Sequence, residues 1–145
     1  MAAQQTEKKI VFRAGLIPYV VEDNIIKMMF MVPSNAEYGG TVPQLAKGKV
    51  DSGEDTRTAA IREAKEELGL FYGNLLFLEE LGTFLGRTTV YVGKIKDKNM
   101  FGEPSSETSK VLWLTLEEFL IQGRDLHKPI VQAAHRFIMK KEGIK

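Results

Sequence analysis

The chain contains no cysteine, which excludes a disulfide, a thiol nucleophile and a thiolate metal site and suits a reducing compartment. It has no excess of either charge: 20 Lys and Arg against 19 Asp and Glu give a formal net charge of +1. No basic field for general nucleic-acid binding results, so any polyphosphate must be held by local cations and a metal. A run of about 18 apolar residues, the length that spans a membrane, is missing. The opening MAAQQTEKK lacks the apolar segment of a secretory signal. A soluble, unprocessed, cytoplasmic protein with a frayed segment over 1–9 is expected. Internal repeats, a Walker phosphate loop and a dinucleotide fingerprint are absent too.

What is present suits one domain over 1–145. With 43% hydrophobic and 27% charged residues, the chain can bury a real core. Residues 10–21 and 25–32 are rich in β-branched and aromatic side chains around the turn-forming Glu22, Asp23 and Asn24, which predicts a β-hairpin. Pro18 is expected at an edge or a bulge, because proline cannot donate to a sheet ladder. Met28, Met29 and Met31 read as core filler. Residues 33–42 form a candidate substrate loop, and 44–46 a short strand delivering Lys47. Residues 75–85 and 88–96 read as a second strand pair, 96–109 as a mobile loop, and 110–114 as another strand. Thr115 and Glu118 are spaced to cap a short helix. Over 128–141, Ile130, Val131, Ala134, Phe137 and Ile138 recur at helical spacing behind Pro129. Trp113, His127 and His135 are read as structural. The order of elements suggests an α/β sandwich with a mixed sheet.

The stretch 48–70, GKVDSGEDTRTAAIREAKEELGL, organises the rest. On a helical wheel started at Ala60, the residues Ala60, Ile61, Ala64 and Leu68 make an apolar stripe between about 0° and 100°. Glu63, Glu66 and Glu67 occupy an arc from about 240° to 340°, bordered by the small Thr56 and Ala59. Like charges so spaced destabilise a helix, and a divalent cation would remove that penalty. The preceding loop, with Gly48, Gly53 and Glu54, can turn tightly and present oxygen ligands to a hard cation such as Mg²⁺ or Mn²⁺. Asp55 and Thr56 offer helix capping.

This stretch resembles the Nudix box, G-x5-E-x7-R-E-U-x-E-E-x-G-U with U aliphatic. Gly48, Glu54, Arg62, Glu63, Ala64, Glu66, Glu67, Gly69 and Leu70 fill its nine defined positions. The resemblance implies an α/β/α sandwich with a mixed β-sheet and a central catalytic loop-helix. It implies Mg²⁺- or Mn²⁺-dependent hydrolysis of a nucleoside diphosphate linked to another group. Glu63, Glu66 and Glu67 match the family's metal-binding carboxylates, joined by the main-chain carbonyl of Lys47. Arg62 matches the arginine that orients the acidic cluster, and Glu54 the outer acid. Where a separate general base is used, many members carry it in the loop before the late strand; Glu107 is the first choice and Glu103 the reserve.

LAKGKVDSGE is similar to the PKG-x-V-x-x-GE run of diadenosine tetraphosphate hydrolases and of some nucleoside triphosphate members, with Ala46 in place of proline. The tyrosine that dinucleoside-polyphosphate members often carry past the box is absent, since Gly86, Arg87 and Thr88 stand there and Tyr91 is only nearby. A nucleotide polyphosphate, dinucleoside or mononucleoside, is the preferred substrate, with Arg13, Lys47 and Tyr91 as candidate binding residues. The alternatives are an inactive nucleotide-binding or sensor module and an ADP-ribose or capped-RNA hydrolase. A monomer or homodimer with no membrane partner is expected.

Overall fold

The computed structural model describes residues 10–145, so the fraying expected over 1–9 lies outside the described residues. Strands β1 (Arg13–Glu22) and β2 (Ile25–Pro33) form the expected hairpin, with Tyr19 opposite Met28 and Glu22 opposite Ile25. Asp23 and Asn24 both take positive φ, 53° and 62°, the backbone that a tight two-residue hairpin requires. Both strands are covered on two faces, which accounts for their nearly continuous apolar sequence. In β1, Ala14, Leu16 and Val20 join one core cluster while Ile17 and Tyr19 join the other. In β2, Met29 and Met31 alternate in the same way with Met28 and Phe30.

Strands β3 (Ala46–Lys49), β4 (Leu75–Phe84), β5 (Thr88–Ile95) and β6 (Thr108–Leu114) complete a mixed sheet of order β4-β5-β1-β2-β6, with β3 beside β1. Only β1 and β5 run parallel among these pairs. Helix α1 (Thr56–Leu68) covers one face; α2 (Leu116–Gln122) and α3 (Lys128–Glu142) cover the other. The expected α/β/α sandwich is therefore the observed architecture. Among the described residues no helix is long and apolar enough to cross a membrane.

Three local expectations are corrected. Pro18 is at neither an edge nor a bulge: β1 is interior, and Pro18 stands opposite Gly93 of β5. On the other flank, pairing with β3 ends at Leu16 and pairing with β2 begins at Tyr19. The proline thus sits where β1 changes antiparallel partner and there is no ladder bond to interrupt. The short strand begins at Ala46 rather than at 44, since Gln44 makes only an isolated bridge to Met31.

Residues 96–109 are pinned instead of mobile. The fully buried Asn74 donates from Nδ2 to the carbonyls of Asp97 and Met100, and its Oδ1 accepts from the Asp97 N–H, all at 2.9 Å. Further along, the Gly102 and Ser105 N–H groups each donate at 2.7 Å, to the carbonyls of Gly69 and Glu66. The Thr108 hydroxyl donates to the Glu67 carbonyl at 2.9 Å. Polar composition signals exposure, but here it supplies partners that tie the segment to the end of α1.

Asp55 caps α1 by accepting from the Thr58 N–H at 2.7 Å, and Gly69 ends the helix with φ 76°. Ala59, Ala60, Ala64 and Leu68 are fully buried against the sheet. The alanines let the helix lie close to β1 and β3, and burying Leu68 is worth roughly 2 kcal/mol. That close approach brings the acidic arc onto β3. On the opposite face Ile130, Val131, Ala134 and Ile138 of α3 are buried, and Thr115 and Glu118 form a reciprocal capping box on α2.

Candidate active site

Glu63 and Glu67 lean from α1 onto β3. Glu63 is buried, and a Cβ added to Gly48 would overlap its carboxylate, so the box glycine leaves the space that Glu63 occupies and a side chain there would displace it. Glu67 Oε1 accepts from the Lys47 N–H at 3.0 Å. Burial pushes the Glu67 carboxyl up to about 8, against the opposing pull of that N–H. Burial also raises Glu63, opposed by its hydrogen bond from Arg62. Desolvation is the first cause at both carboxylates, and the Arg62 guanidinium at Glu63 and the Lys47 N–H at Glu67 offset only part of it.

Arg62 is the hub of the acidic arc. Its Nε and Nη2 donate to the two oxygens of Glu54 at 2.9 and 3.0 Å, a bidentate pair. Nη1 donates to Glu63 at 2.7 Å and to Glu66 at 3.1 Å, and Nη2 also reaches the Lys49 carbonyl at 3.0 Å. These bonds, that to Glu54 foremost, raise Arg62 above its ordinary range and hold Glu54 down at about 2. Asp51, which the sequence pattern did not single out, lies 3.5 Å from Nη2, and its N–H donates to Glu54. Its position inside the box loop was the available signal.

Among the described residues no three His, Asp or Glu side chains converge closely enough to enclose a metal ion. The three-carboxylate wall is divided: Glu63 and the exposed Glu66 share Arg62 Nη1, while Glu67 is turned to the Lys47 N–H of β3. The donors are nevertheless of the right chemistry. Two desolvated carboxylates beside the Lys47 and Gly48 backbone offer hard oxygen ligands, and ionising them together calls for a cation.

Beside these groups opens a cleft of about 500 Å³ whose lining includes Arg13, Lys47, Glu67, Glu107 and Arg124. The structure brings Arg13, Lys47 and Glu107 to the same space as Glu67. Tyr91 is not there: it is buried under α1, with its hydroxyl 2.7 Å from Thr56 Oγ1. Its strand register sends the ring to the helix side of β5. Glu103 lines a separate hollow with Arg62, Lys65, Glu66 and Phe71. Trp113 packs edge-on against Phe101 at 6.0 Å. His127 is fully buried, accepts from the Leu45 N–H at Nδ1 (3.1 Å), and is held down at about 3 by burial and then by Arg124 and Lys47. His135 is half-buried on α3. His127 is thus part of the packed fold, and His135 lies outside the lining of the cleft. Arg124, in the connection between α2 and α3, carries no motif by which sequence reasoning could have found it.

The family model of the NUDIX domain matches residues 26–135. An asymmetrical bis(5'-nucleosyl)-tetraphosphatase from Sus scrofa is 32% identical over 139 residues, covering 89% of this chain and 91% of that protein. Among solved structures, a C. elegans Ap4A hydrolase in a binary complex superposes with a TM-score of 0.73 at 22% identity, covering 90% of this chain and 99% of that one. A mutT/nudix family protein from Listeria innocua superposes at 0.71 with 18% identity, covering 96% and 100%. The domain match, spanning the box and both helix layers, together with the full-length relative, establishes that this chain belongs to the Nudix hydrolase family.

Proposed function

We propose that this hydrolase is a metal-dependent pyrophosphohydrolase of nucleotide polyphosphates, with dinucleoside polyphosphates of the diadenosine type as its first substrates. The observation that carries the reading is the meeting of Glu63 and Glu67 with β3 at the side of a cleft that also presents Arg13 and Lys47. Glu67, an acid for a metal, shares one space with cations for phosphate. The name of the Sus scrofa relative supports a dinucleoside tetraphosphate.

Glu63, Glu66 and Glu67, with the Lys47 carbonyl, would hold Mg²⁺ or Mn²⁺. Such an ion, when bound, supplies charge neutralisation at the phosphate oxygens and lowers the pKa of a water. Arg62 holds the carboxylates against rotation through its fork, with Glu54 anchoring the far side of the guanidinium. Arg13 and the Lys47 side chain bind phosphate oxygens. Glu107, facing the cleft, takes the proton of the attacking water on a carboxylate oxygen. Tyr91 has no part in substrate contact. A pyrophosphate P–O bond breaks, and the departing phosphate carries away the bridging oxygen.

Phosphate release, coupled to a phosphatase, is measured under Mg²⁺ for diadenosine polyphosphates, nucleoside triphosphates, ADP-ribose and capped RNA. Diadenosine polyphosphates should give the highest kcat/KM. Preference for ADP-ribose or capped RNA would overturn the substrate, and turnover of nothing in the panel would favour a binding module.

A further inference from the structure

We propose that Arg124 is a specificity-determining residue that lets the cleft favour a longer phosphate chain over a diphosphate. The inference rests on the pyrophosphohydrolase reading above and assigns the part of the cleft that senses chain length.

Arg13 from β1, Lys47 from β3 and Arg124 from the α2–α3 connection all line the cleft. None of the three makes an ion pair among the described residues, whereas Arg62 is engaged by Asp51, Glu54, Glu63 and Glu66. Three like charges that line one cleft repel one another. A polyanion lying across the cleft would relieve that repulsion, as a divalent cation would relieve that of the acids.

Arg124 is built into place. Its backbone N–H donates to the Pro43 carbonyl at 2.9 Å, and its Nη1 donates to Gln44 Oε1 at 3.0 Å. Gly39, with φ 99°, closes over this pair: a Cβ there would stand 2.8 Å from Nη1 and overlap Gln44 Oε1. The Nη1 atom is also 3.5 Å from His127 Nε2. Because His127 Nδ1 accepts from Leu45, the hydrogen-bond pattern assigns the ring proton to Nε2, which then cannot accept from the guanidinium. Nε and Nη2 of Arg124 donate to no described residue, so a planar, half-buried fork remains for phosphate oxygens.

Order along the chain gives the length dependence. Gln44 bridges Met31, and Ala46 opens β3. Lys47, whose N–H meets Glu67, and Arg124, held at Gln44, thus stand in series along the cleft wall. A phosphate chain that starts beside Glu67 and Lys47 meets the Arg124 end with its further phosphates, so a longer chain gains a contact that a diphosphate does not.

The test uses wild type, Arg124→Gln, Arg124→Lys and Gly39→Ala, each checked for folding by circular dichroism. Calorimetry without divalent metal compares inorganic tripolyphosphate with pyrophosphate, and kinetics compare diadenosine tetraphosphate with ADP-ribose. Arg124→Gln should lower the preference for tripolyphosphate about tenfold, with the kcat/KM ratio of the two nucleotides falling similarly through KM. Arg124→Lys should restore part of it, and Gly39→Ala should shift preference the same way by displacing the guanidinium. Equal losses on long and short ligands, or no loss, would overturn the inference even if wild type hydrolyses diadenosine tetraphosphate. Selective tripolyphosphate binding that needs Arg124, in a wild type that hydrolyses nothing, would uphold Arg124 and overturn the enzymatic reading instead.

Discussion

Gly48 and Glu63 interlock: the carboxylate of the helix residue fills the space that any side chain on the strand residue would need. Gly48→Ala should therefore push Glu63 off β3. Overpacking of this kind costs about 1–3 kcal/mol, and the displaced carboxylate no longer lies beside the Gly48 backbone of β3. Denaturant melts should show a fold weakened by that amount, and Mn²⁺ titration should show a larger proportional loss in affinity than in stability. Unchanged metal affinity would mean that Glu63 need not touch β3.

Arg62→Lys replaces a bidentate fork with a point charge. The variant loses the paired bonds to Glu54 and cannot serve Glu63, Glu66 and the Lys49 carbonyl at once. The chain should stay folded while kcat falls at least about tenfold, the usual scale for a residue that orients ligands. Wild-type turnover in this variant would reduce Arg62 to ordinary charge.

The sequence carried this site unevenly, for physical reasons. The box could be read because its spacing is dictated locally: one helix turn separates Glu63 from Glu67, and Gly69 must take φ 76° where α1 stops. The hairpin could be read because a two-face burial pattern and an Asp23-Asn24 turn are local as well. Pro18 misled because its tolerance depends on which strands flank β1, a property of topology. The segment 96–109 misled because its ties run to Asn74, Gly69 and Glu66, far away in sequence. Arg124 meets Gln44 across a separation of 80 residues, and no periodicity encodes such a contact.

Glu67→Gln tests the metal site without a folding penalty. Burial already disfavours the Glu67 charge, and a glutamine oxygen can still accept the Lys47 N–H. Without metal the variant should melt at or slightly above wild type. With Mg²⁺ or Mn²⁺ at a hundredfold excess over Kd, wild type should gain roughly 3 kcal/mol and the variant much less. Equal shifts in thermal melts would remove Glu67 from the ligand set.

His127 makes the fold sensitive to acid. Its folded pKa of about 3 lies below the ordinary 6.5, so the unfolded chain binds the proton more readily. The associated stability is fully present above about pH 6.5 and is lost as pH falls through about 3. Between pH 7 and 4.5 the wild type should lose roughly 2 kcal/mol by this linkage alone. His127→Gln, which can still accept from Leu45, should be weaker at pH 7 but lose less on acidification. Parallel urea-midpoint profiles for the two proteins would assign the acid sensitivity elsewhere.

Glu107 and Glu103 are four residues apart, yet they face different spaces. Glu107 lines the cleft with Glu67 and Lys47, and Glu103 lines the hollow beyond Arg62 and Phe71. A general base must reach the water that attacks phosphorus, and the proposed base is therefore Glu107, which lines the cleft, rather than Glu103. Its backbone is firmly held, since the Glu107 carbonyl accepts from the Ser34 N–H at 2.9 Å and the next residue, Thr108, is tied to Glu67. Glu107→Gln should lower kcat by about 10²- to 10⁴-fold, the usual range for general base catalysis, with Mn²⁺ affinity nearly unchanged. Glu103→Gln should leave both close to wild type, while Glu63→Gln or Glu67→Gln should damage both together. The informative comparison is the pH profile of kcat: removing a true base abolishes its acidic limb, whereas removing a mere loop charge lowers or preserves the whole curve. An intact acidic limb in Glu107→Gln would move the base to a box glutamate, with Glu63 and Glu66 the next to test.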